Sequence, residues 1–316
     1  MGIVIQLVWL VVGFVLLTKG ADWFVDGAAS IADKLGIPQL VIGLTIVALG
    51  TSLPEAAVSI SAAIKGNVDM SIGNVLGSNI MNVLLILGIT SLLCPIPVQR
   101  STVHYEIPFT ILITVMFVCL GLWNNMVDRV EGGILWGFMV AYLLYLFVMT
   151  KKGKVQAEEK ADEKKKPMWL LFVMVILGAA MIVKGSDFTV KAASAIAKLF
   201  GMEERLIGLT IVAFGTSLPE LVTSVTAALK KKPDIAVGNI VGSNIFNLLF
   251  VAGTTAVITP VPYASTFRVD SLVAIATVVL LFLCVVRKRK LGRLGGFLIL
   301  SAYVGYFVYM FHSSIA

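Results

Sequence analysis

The chain has 316 residues, 58% of them hydrophobic and 14% charged, with a mean hydropathy of +0.96. That composition excludes an ordinary soluble domain and places the polypeptide in a bilayer. The formal net charge of +7 does not point to nucleic acid, because the basic residues are distributed by membrane side and not gathered on a recognition element.

Apolar runs of spanning length are centred near residues 13, 52, 82, 113, 139, 177, 217, 247, 277 and 303, which predicts ten transmembrane helices. Lipid offers backbone N–H and C=O groups no partner, and the runs are continuous, so the fold class is an all-α integral membrane protein and not a barrel. The first run has no basic leader or evident cleavage site and reads as a retained span. The second carries GLTIVALGTSLPE over 43–55, and the third IGNVLGSNIMN over 72–82. After the fifth, residues 150–167 hold seven lysines interspersed with glutamates and form a solvated linker. The seventh and eighth runs then return GLTIVAFGTSLPE over 208–220 and VGNIVGSNIFN over 237–247.

The repeat keeps one offset of 165 residues, the separation of Glu55 and Glu220, without a gap from Lys19–Asn82 to Lys184–Asn247. It divides the chain into a first unit at 1–149, the linker, and a second unit at 168–316. Five spans per unit send the second copy into the membrane upside down, an inverted repeat whose substrate site belongs at the repeat interface near mid-bilayer. The linker, the Lys-Lys-Lys turn at 230–232 and the basic run from Arg287 to Arg293 fall on one side. The positive-inside rule makes that side cytoplasmic and leaves both termini outside.

Of eighteen acidic residues, sixteen fall in loops or within reach of span ends; Glu55 and Glu220 lie deep in apolar sequence. A charge at a span centre costs about 2.5–3.5 kcal/mol on insertion scales, and a bound cation, protonation or water has to offset it. Pro54 and Pro219 lack the N–H that would bond the carbonyls of Gly50 and Gly215, so each helix breaks and frees backbone oxygen for ions. Thr51 and Ser52 precede Glu55 by four and three residues and share its face. Asn74, Ser78 and Asn82, with Asn239, Ser243 and Asn247, form one polar stripe per helix. Asn79 and Asn244 lie off that stripe and suit interhelical hydrogen bonds as well as ion contact.

Two carboxylates with hydroxyl, amide and carbonyl oxygens, and no His or Cys nearby, favour Ca²⁺ or Na⁺ over softer metals. His104 and His312 lie near span ends, and Cys94, Cys119 and Cys284 read as packing residues. No HExxH, paired catalytic Asp or Ser-His arrangement occurs, so neither enzymatic chemistry nor a cofactor is expected. Two carboxylates in an inverted pair do not make the symmetric ring of a channel filter. A monomer is compatible with this organisation.

The paired GTSLPE and GNxxGSNxxN segments make the chain resemble the Ca²⁺/cation antiporter superfamily, in particular its prokaryotic sodium/calcium exchanger branch. The resemblance implies ten helices in two inverted halves and Ca²⁺ bound by Glu55 and Glu220 with backbone oxygens at Thr51 and Thr216. It implies Na⁺ sites around Ala48, Thr51 and Ser78 and around Ala213, Thr216 and Ser243, with Ser52 and Ser217 contributing and Asn82 in the central ring. Proton-coupled members carry GNxxE where this chain has GTSLPE twice, which favours Na⁺, although a buried Glu can also carry protons. Potassium-dependent exchangers have Asp where Asn247 stands, so no strict K⁺ requirement is expected. The large cytosolic regulatory loop of animal exchangers is not represented.

Overall fold

A computed structural model describes residues 2–66, 68–154, 166–202, 211, 213–264 and 267–315. The chain forms α1 (Ile3–Leu35), α2 (Gln39–Thr51), α3 (Leu53–Ile64), α4 (Val68–Met81, continued by Asn82–Leu87 and Gly88–Leu93), α5 (Thr102–Trp123) and α6 (Arg129–Lys154). After the linker come α7 (Met168–Leu199), α8 (Ala213–Thr216), α9 (Leu218–Leu229), α10 (Pro233–Ile258), α11 (Phe267–Val286) and α12 (Arg293–Ile315). Eight of these are long and apolar enough to cross a membrane, and a ninth span results if α2 and α3, bent by 50° at Ser52, are one. The remaining expected span, the one centred near residue 217, adjoins residues 203–210 and 212, which lie outside the described residues, as do 155–165 of the linker.

Short strands supplement the helices. β1 (Ile96–Pro97) pairs antiparallel with β4 (Lys290–Leu291), and β2 (Met126–Val127) with β3 (Val261–Pro262). Their registers match Ile96 to Leu291 and Val127 to Val261. Both pairings join a connection in the first half to one in the second. At two residues each they satisfy backbone groups where helices end, a need that hydropathy does not register.

α4 and α10 lie innermost. α10 is buried along nearly its whole length, including Ile235, Ile240, Ile245 and Leu249, while α12 turns much of its surface outward through Leu294, Phe297, Leu298 and Val304. Exposed apolar residues on outer helices beside buried polar ones on inner helices fit lipid outside and a polar site within.

α1 and α7 form a closely packed antiparallel pair. α1 has 33 residues, about 50 Å at 1.5 Å per residue, which exceeds a perpendicular crossing of the roughly 30 Å hydrocarbon layer. The pair meets backbone to backbone at glycines. A Cβ on Gly20 would sit 2.9 Å from the Gly178 carbonyl oxygen and from the Ile182 nitrogen, and one on Gly185 would sit 2.7 Å from the Leu17 nitrogen. Gly13 with Gly178, and Gly20 with Gly185, are repeat equivalents, so the same small-residue device recurs in both helices. The C-terminal end of α9 is tied to α1 by Lys230, which pairs with Asp22 at 3.0 Å and Asp26 at 2.8 Å, and by Lys232, 3.4 Å from Asp26. The lysine turn read from sequence as a topology signal is thus also a clamp on α1.

Gly20→Val should force α1 and α7 apart and cost about 1–3 kcal/mol, the range for overpacking a tight contact. A lowered unfolding temperature in detergent checks it. Gly137→Ala on α6, where an added Cβ meets nothing within 4 Å, serves as the neutral or slightly stabilising control.

Candidate functional site

Each GTSLPE segment breaks its helix at the serine and starts again around the proline. α2 ends at Thr51, Ser52 has φ −83° and ψ 5°, and α3 begins at Leu53 with Pro54 in its first turn. In the second half α8 ends at Thr216, Ser217 has φ −94° and ψ 4°, and α9 begins at Leu218 with Pro219 in its first turn. This corrects the expectation that the prolines sit inside their helices. A proline is tolerated in a first turn, where its missing N–H has no intrahelical role. The break also places Glu55 and Glu220 in the first turns of half-helices, where the helix dipole favours a negative group. Of the carbonyls expected to be freed, that of Gly215 accepts a bond from Ser186 Oγ at 2.6 Å.

The two carboxylates are buried, at 1% exposure for Glu55 and 0% for Glu220, and they are bonded crosswise. Ser217 Oγ donates to Glu55 Oε1 at 3.2 Å, and Ser52 Oγ donates to Glu220 Oε1 at 2.9 Å. Each acid is therefore held by the serine of the opposite half. Among the described residues neither has an ion-pair partner, and Oε2 of each is buried without a hydrogen bond.

The asparagine stripe divides into two kinds. Asn74 Nδ2 donates to the Glu55 carbonyl at 3.2 Å and to Ser59 Oγ at 2.9 Å; Asn239 Nδ2 does the same to the Glu220 carbonyl at 3.4 Å and Ser224 Oγ at 3.0 Å. These residues fasten α4 to α3 and α10 to α9. Ser59 and Ser224 were missed in the sequence, although each lies one helical turn after its glutamate in both copies.

Asn79 and Asn244, left open between two roles, hold α4 against α10. Asn79 Nδ2 donates to the Asn244 carbonyl at 3.1 Å and Asn244 Nδ2 to the Asn79 carbonyl at 3.2 Å. Their side-chain oxygens accept from the next pair: Asn82 Nδ2 to Asn244 Oδ1 at 3.0 Å, and Asn247 Nδ2 to Asn79 Oδ1 at 3.2 Å. Asn82 and Asn247 each donate one N–H in this way and keep buried, unpartnered Oδ1 atoms. Both residues open π-helical segments, Asn82–Leu87 and Asn247–Ala252, a helical distortion often found where function is located.

The remaining predicted residues gather at the breaks. Thr51 Oγ1 donates to Asn239 Oδ1 at 2.9 Å, and Ser243 Oγ to the Ala48 carbonyl at 3.4 Å, so α2 and α10 share contacts at Ala48, Thr51 and Ser243. Ser78 and Thr216 line a cavity of about 910 Å³. Ala213 begins α8, but its side chain lies outside the described residues.

Four orphaned acceptor oxygens, Oε2 of Glu55 and Glu220 and Oδ1 of Asn82 and Asn247, stand in this buried network. A buried acceptor left without a partner costs about 1–3 kcal/mol, and more when charged. A hard cation bound by oxygen meets that cost directly. Among the described residues no group of three or more His, Cys, Asp or Glu side chains forms a metal cluster, so any cation held here has two carboxylates and otherwise neutral oxygens.

One sequence assignment needs correction beyond the site. Glu106, placed near a span end, is 1% exposed and accepts a hydrogen bond at Oε1 from the Tyr145 hydroxyl, while its Oε2 is unpartnered. Being near a helix end does not expose a residue that a neighbouring helix covers, and here α6 covers it.

Residues 5–150 and 170–312 match the family model described as sodium/calcium exchanger protein. The CaxA protein of Alkalimonas amylolytica is 42% identical over 97% of this chain and 98% of its own. The sodium/calcium exchanger MaX1 of Methanosarcina acetivorans is 32% identical over 98% of this chain and 99% of its own. A solved structure of the sodium-calcium exchanger NCX_Mj superimposes with a TM-score of 0.83 at 30% identity, covering 96% of this chain and 98% of that one. With a match over nearly its whole length and relatives of this identity, the chain belongs to the sodium/calcium exchanger protein family.

Proposed function

We propose that the protein is a secondary antiporter that exchanges Ca²⁺ for Na⁺ at one shared site in mid-membrane, between two inverted five-helix halves. The observation that carries this reading is the crosswise pair Glu55 and Glu220, buried without basic partners among the described residues and accompanied by the orphaned oxygens of Asn82 and Asn247. One Ca²⁺ neutralises both carboxylates, with Thr51 and Thr216 supplying backbone oxygen. Several Na⁺ ions do the same from positions around Ala48, Thr51, Ser52 and Ser78 and around Ala213, Thr216, Ser217 and Ser243. Because both ions need the same carboxylates, they compete, and competition couples their movements.

The reciprocal contacts support the inverted arrangement. Each bond from Ser52, Asn79 or Asn82 to the second half has a counterpart from Ser217, Asn244 or Asn247 to the first, at the same offset of 165. The lysine-rich linker supports a cytoplasmic-membrane protein with both termini outside.

In proteoliposomes an outward Na⁺ gradient should drive Ca²⁺ uptake; uptake driven by a pH gradient alone would overturn Na⁺ coupling and leave a Ca²⁺/H⁺ antiporter. Glu55→Gln and Glu220→Gln should each reduce Ca²⁺ flux by at least about a hundredfold, since losing a charged partner costs roughly 3 kcal/mol or more, while the protein still inserts. Wild-type flux in either variant sinks the site.

Asn247→Asp should change the dependence of flux on monovalent ions more than it changes Ca²⁺ affinity, because it adds a charge at an orphaned oxygen that one Ca²⁺ does not need. Ion-substitution flux assays with Na⁺, K⁺ and Li⁺ read this, and an unchanged monovalent profile counts against a role for Asn247 in ion binding.

A further inference from the structure

The cavity of about 910 Å³ that reaches Asn74, Ser78 and Thr216 is walled chiefly by apolar side chains, among them Phe14 of α1 and Phe307 of α12. Among its lining residues there is one carboxylate, Asp270, in the first turn of α11. Its Oδ1 accepts a hydrogen bond from Tyr306 Oη on α12 at 2.8 Å, and no cationic side chain pairs with it among the described residues. A carboxylate held by a tyrosine in an apolar wall is costly unless protonation, water or a cation offsets its charge.

The other half contains a matching device. Glu106 lies at the start of α5, the repeat equivalent of α11, and is held by Tyr145 of α6, the equivalent of α12. The two acids are not at the same repeat position, since Tyr105 stands opposite Asp270 and Ser271 opposite Glu106. Each half has thus placed a carboxylate within one residue of the same point and fastened it to a tyrosine of the following helix. Their surroundings differ: Asp270 borders the cavity, whereas Glu106 is sealed at 1% exposure with Oε2 unpartnered. Tyr142, on the same helix as Tyr145, donates to the Leu44 carbonyl of α2 at 3.5 Å, so the sealed acid sits beside the broken helix.

We propose that Asp270, positioned by Tyr306, draws cations from water into the cavity that leads to the Glu55/Glu220 site, and that Glu106 with Tyr145 takes the same role on the opposite face once the halves exchange conformations. This rests on the exchange reading above. A charge-lined path with low-dielectric walls focuses the field and raises the local cation concentration by ten- to a thousandfold. Asp270 and Glu106 are therefore positioning residues that set apparent affinity, one per face. When the two halves exchange conformations, the Glu106 pair becomes open and the Asp270 pair closes.

The test is Na⁺-driven Ca²⁺ uptake in right-side-out and inside-out membrane vesicles, reading apparent KM and maximal rate separately. Asp270→Asn should raise the Ca²⁺ KM on the order of tenfold at the one face its cavity serves, with a far smaller change at the other, and Asp270→Glu should restore the wild-type value. Glu106→Gln should show the opposite sidedness. Equal shifts at both faces, no shift at either, or failure of Asp270→Glu to restore KM would overturn the proposal and leave Asp270 a packing residue. If the wild-type protein itself shows no Na⁺-driven uptake, the exchange reading fails and this one with it; robust wild-type uptake beside an unaltered Asp270→Asn overturns this proposal alone.

Discussion

Two carboxylates that no basic side chain balances, among the described residues, set the terms for the rest of the molecule. Transfer of an unpaired ionised group into a low-dielectric interior costs several kcal/mol even after the surroundings relax. Hydroxyls recover part of it: Ser217 and Ser52 each supply a charge-assisted bond, typically worth about 1.5–3 kcal/mol. The remainder falls to whatever arrives from water. On the proposed reading an ion completes the site, and its binding would raise the stability of the protein.

The hydroxyls come from the opposite half, and that choice links stability to symmetry. Glu55 depends on Ser217 and Glu220 on Ser52, so neither half can complete its own acid. Asn79 and Asn244 repeat the logic between α4 and α10, and the strand pairs β1–β4 and β2–β3 repeat it at the helix ends. A duplicated sequence folded this way completes its buried acids through contacts across the interface between its copies. Movement of one half against the other therefore changes the ligand set of both acids together, which is the condition for an ion to be occluded and released as a unit.

Much of this was legible because the duplication doubles every signal. A lone glutamate in an apolar run, or a lone Pro kink, has a structural explanation; the pair at an offset of 165 does not. The break at Ser52 was readable from Pro54, though not its register, since the sequence does not say whether a proline interrupts a helix or starts one. Asn79 and Asn244 were ambiguous because side-chain amides bind ions and neighbouring helices through the same groups, and only the packing of α4 on α10 decides. Glu106 was hidden by its distance from a span centre, a one-dimensional measure that takes no account of the helix lying over it. Lys230 was read as a loop charge, whereas α1 extends far enough to bring Asp22 and Asp26 within reach.

The two halves depart from symmetry at residues around the broken helices. Two halves identical in every contact would make the two facing conformations equal in energy under the proposed inverted arrangement. Here Ser186 bonds the carbonyl of Gly215 at 2.6 Å, while its repeat equivalent is Ala21, which has no hydroxyl to offer Gly50. The ring of Phe24 lies against Gly50, where an added Cβ would meet its Cζ at 2.7 Å, whereas Val190 lies against Gly215. Asp270 opposes Tyr105, and Glu106 opposes Ser271. Under the proposed alternation, a difference such as the Ser186 bond would favour one arrangement of a broken helix over its mirror by the scale of a single hydrogen bond, about 0.5–1.5 kcal/mol. Under the proposed exchange, a bias of that size would set populations without trapping either state, so the duplicated residues can be kept while their neighbours bias the empty protein toward one face.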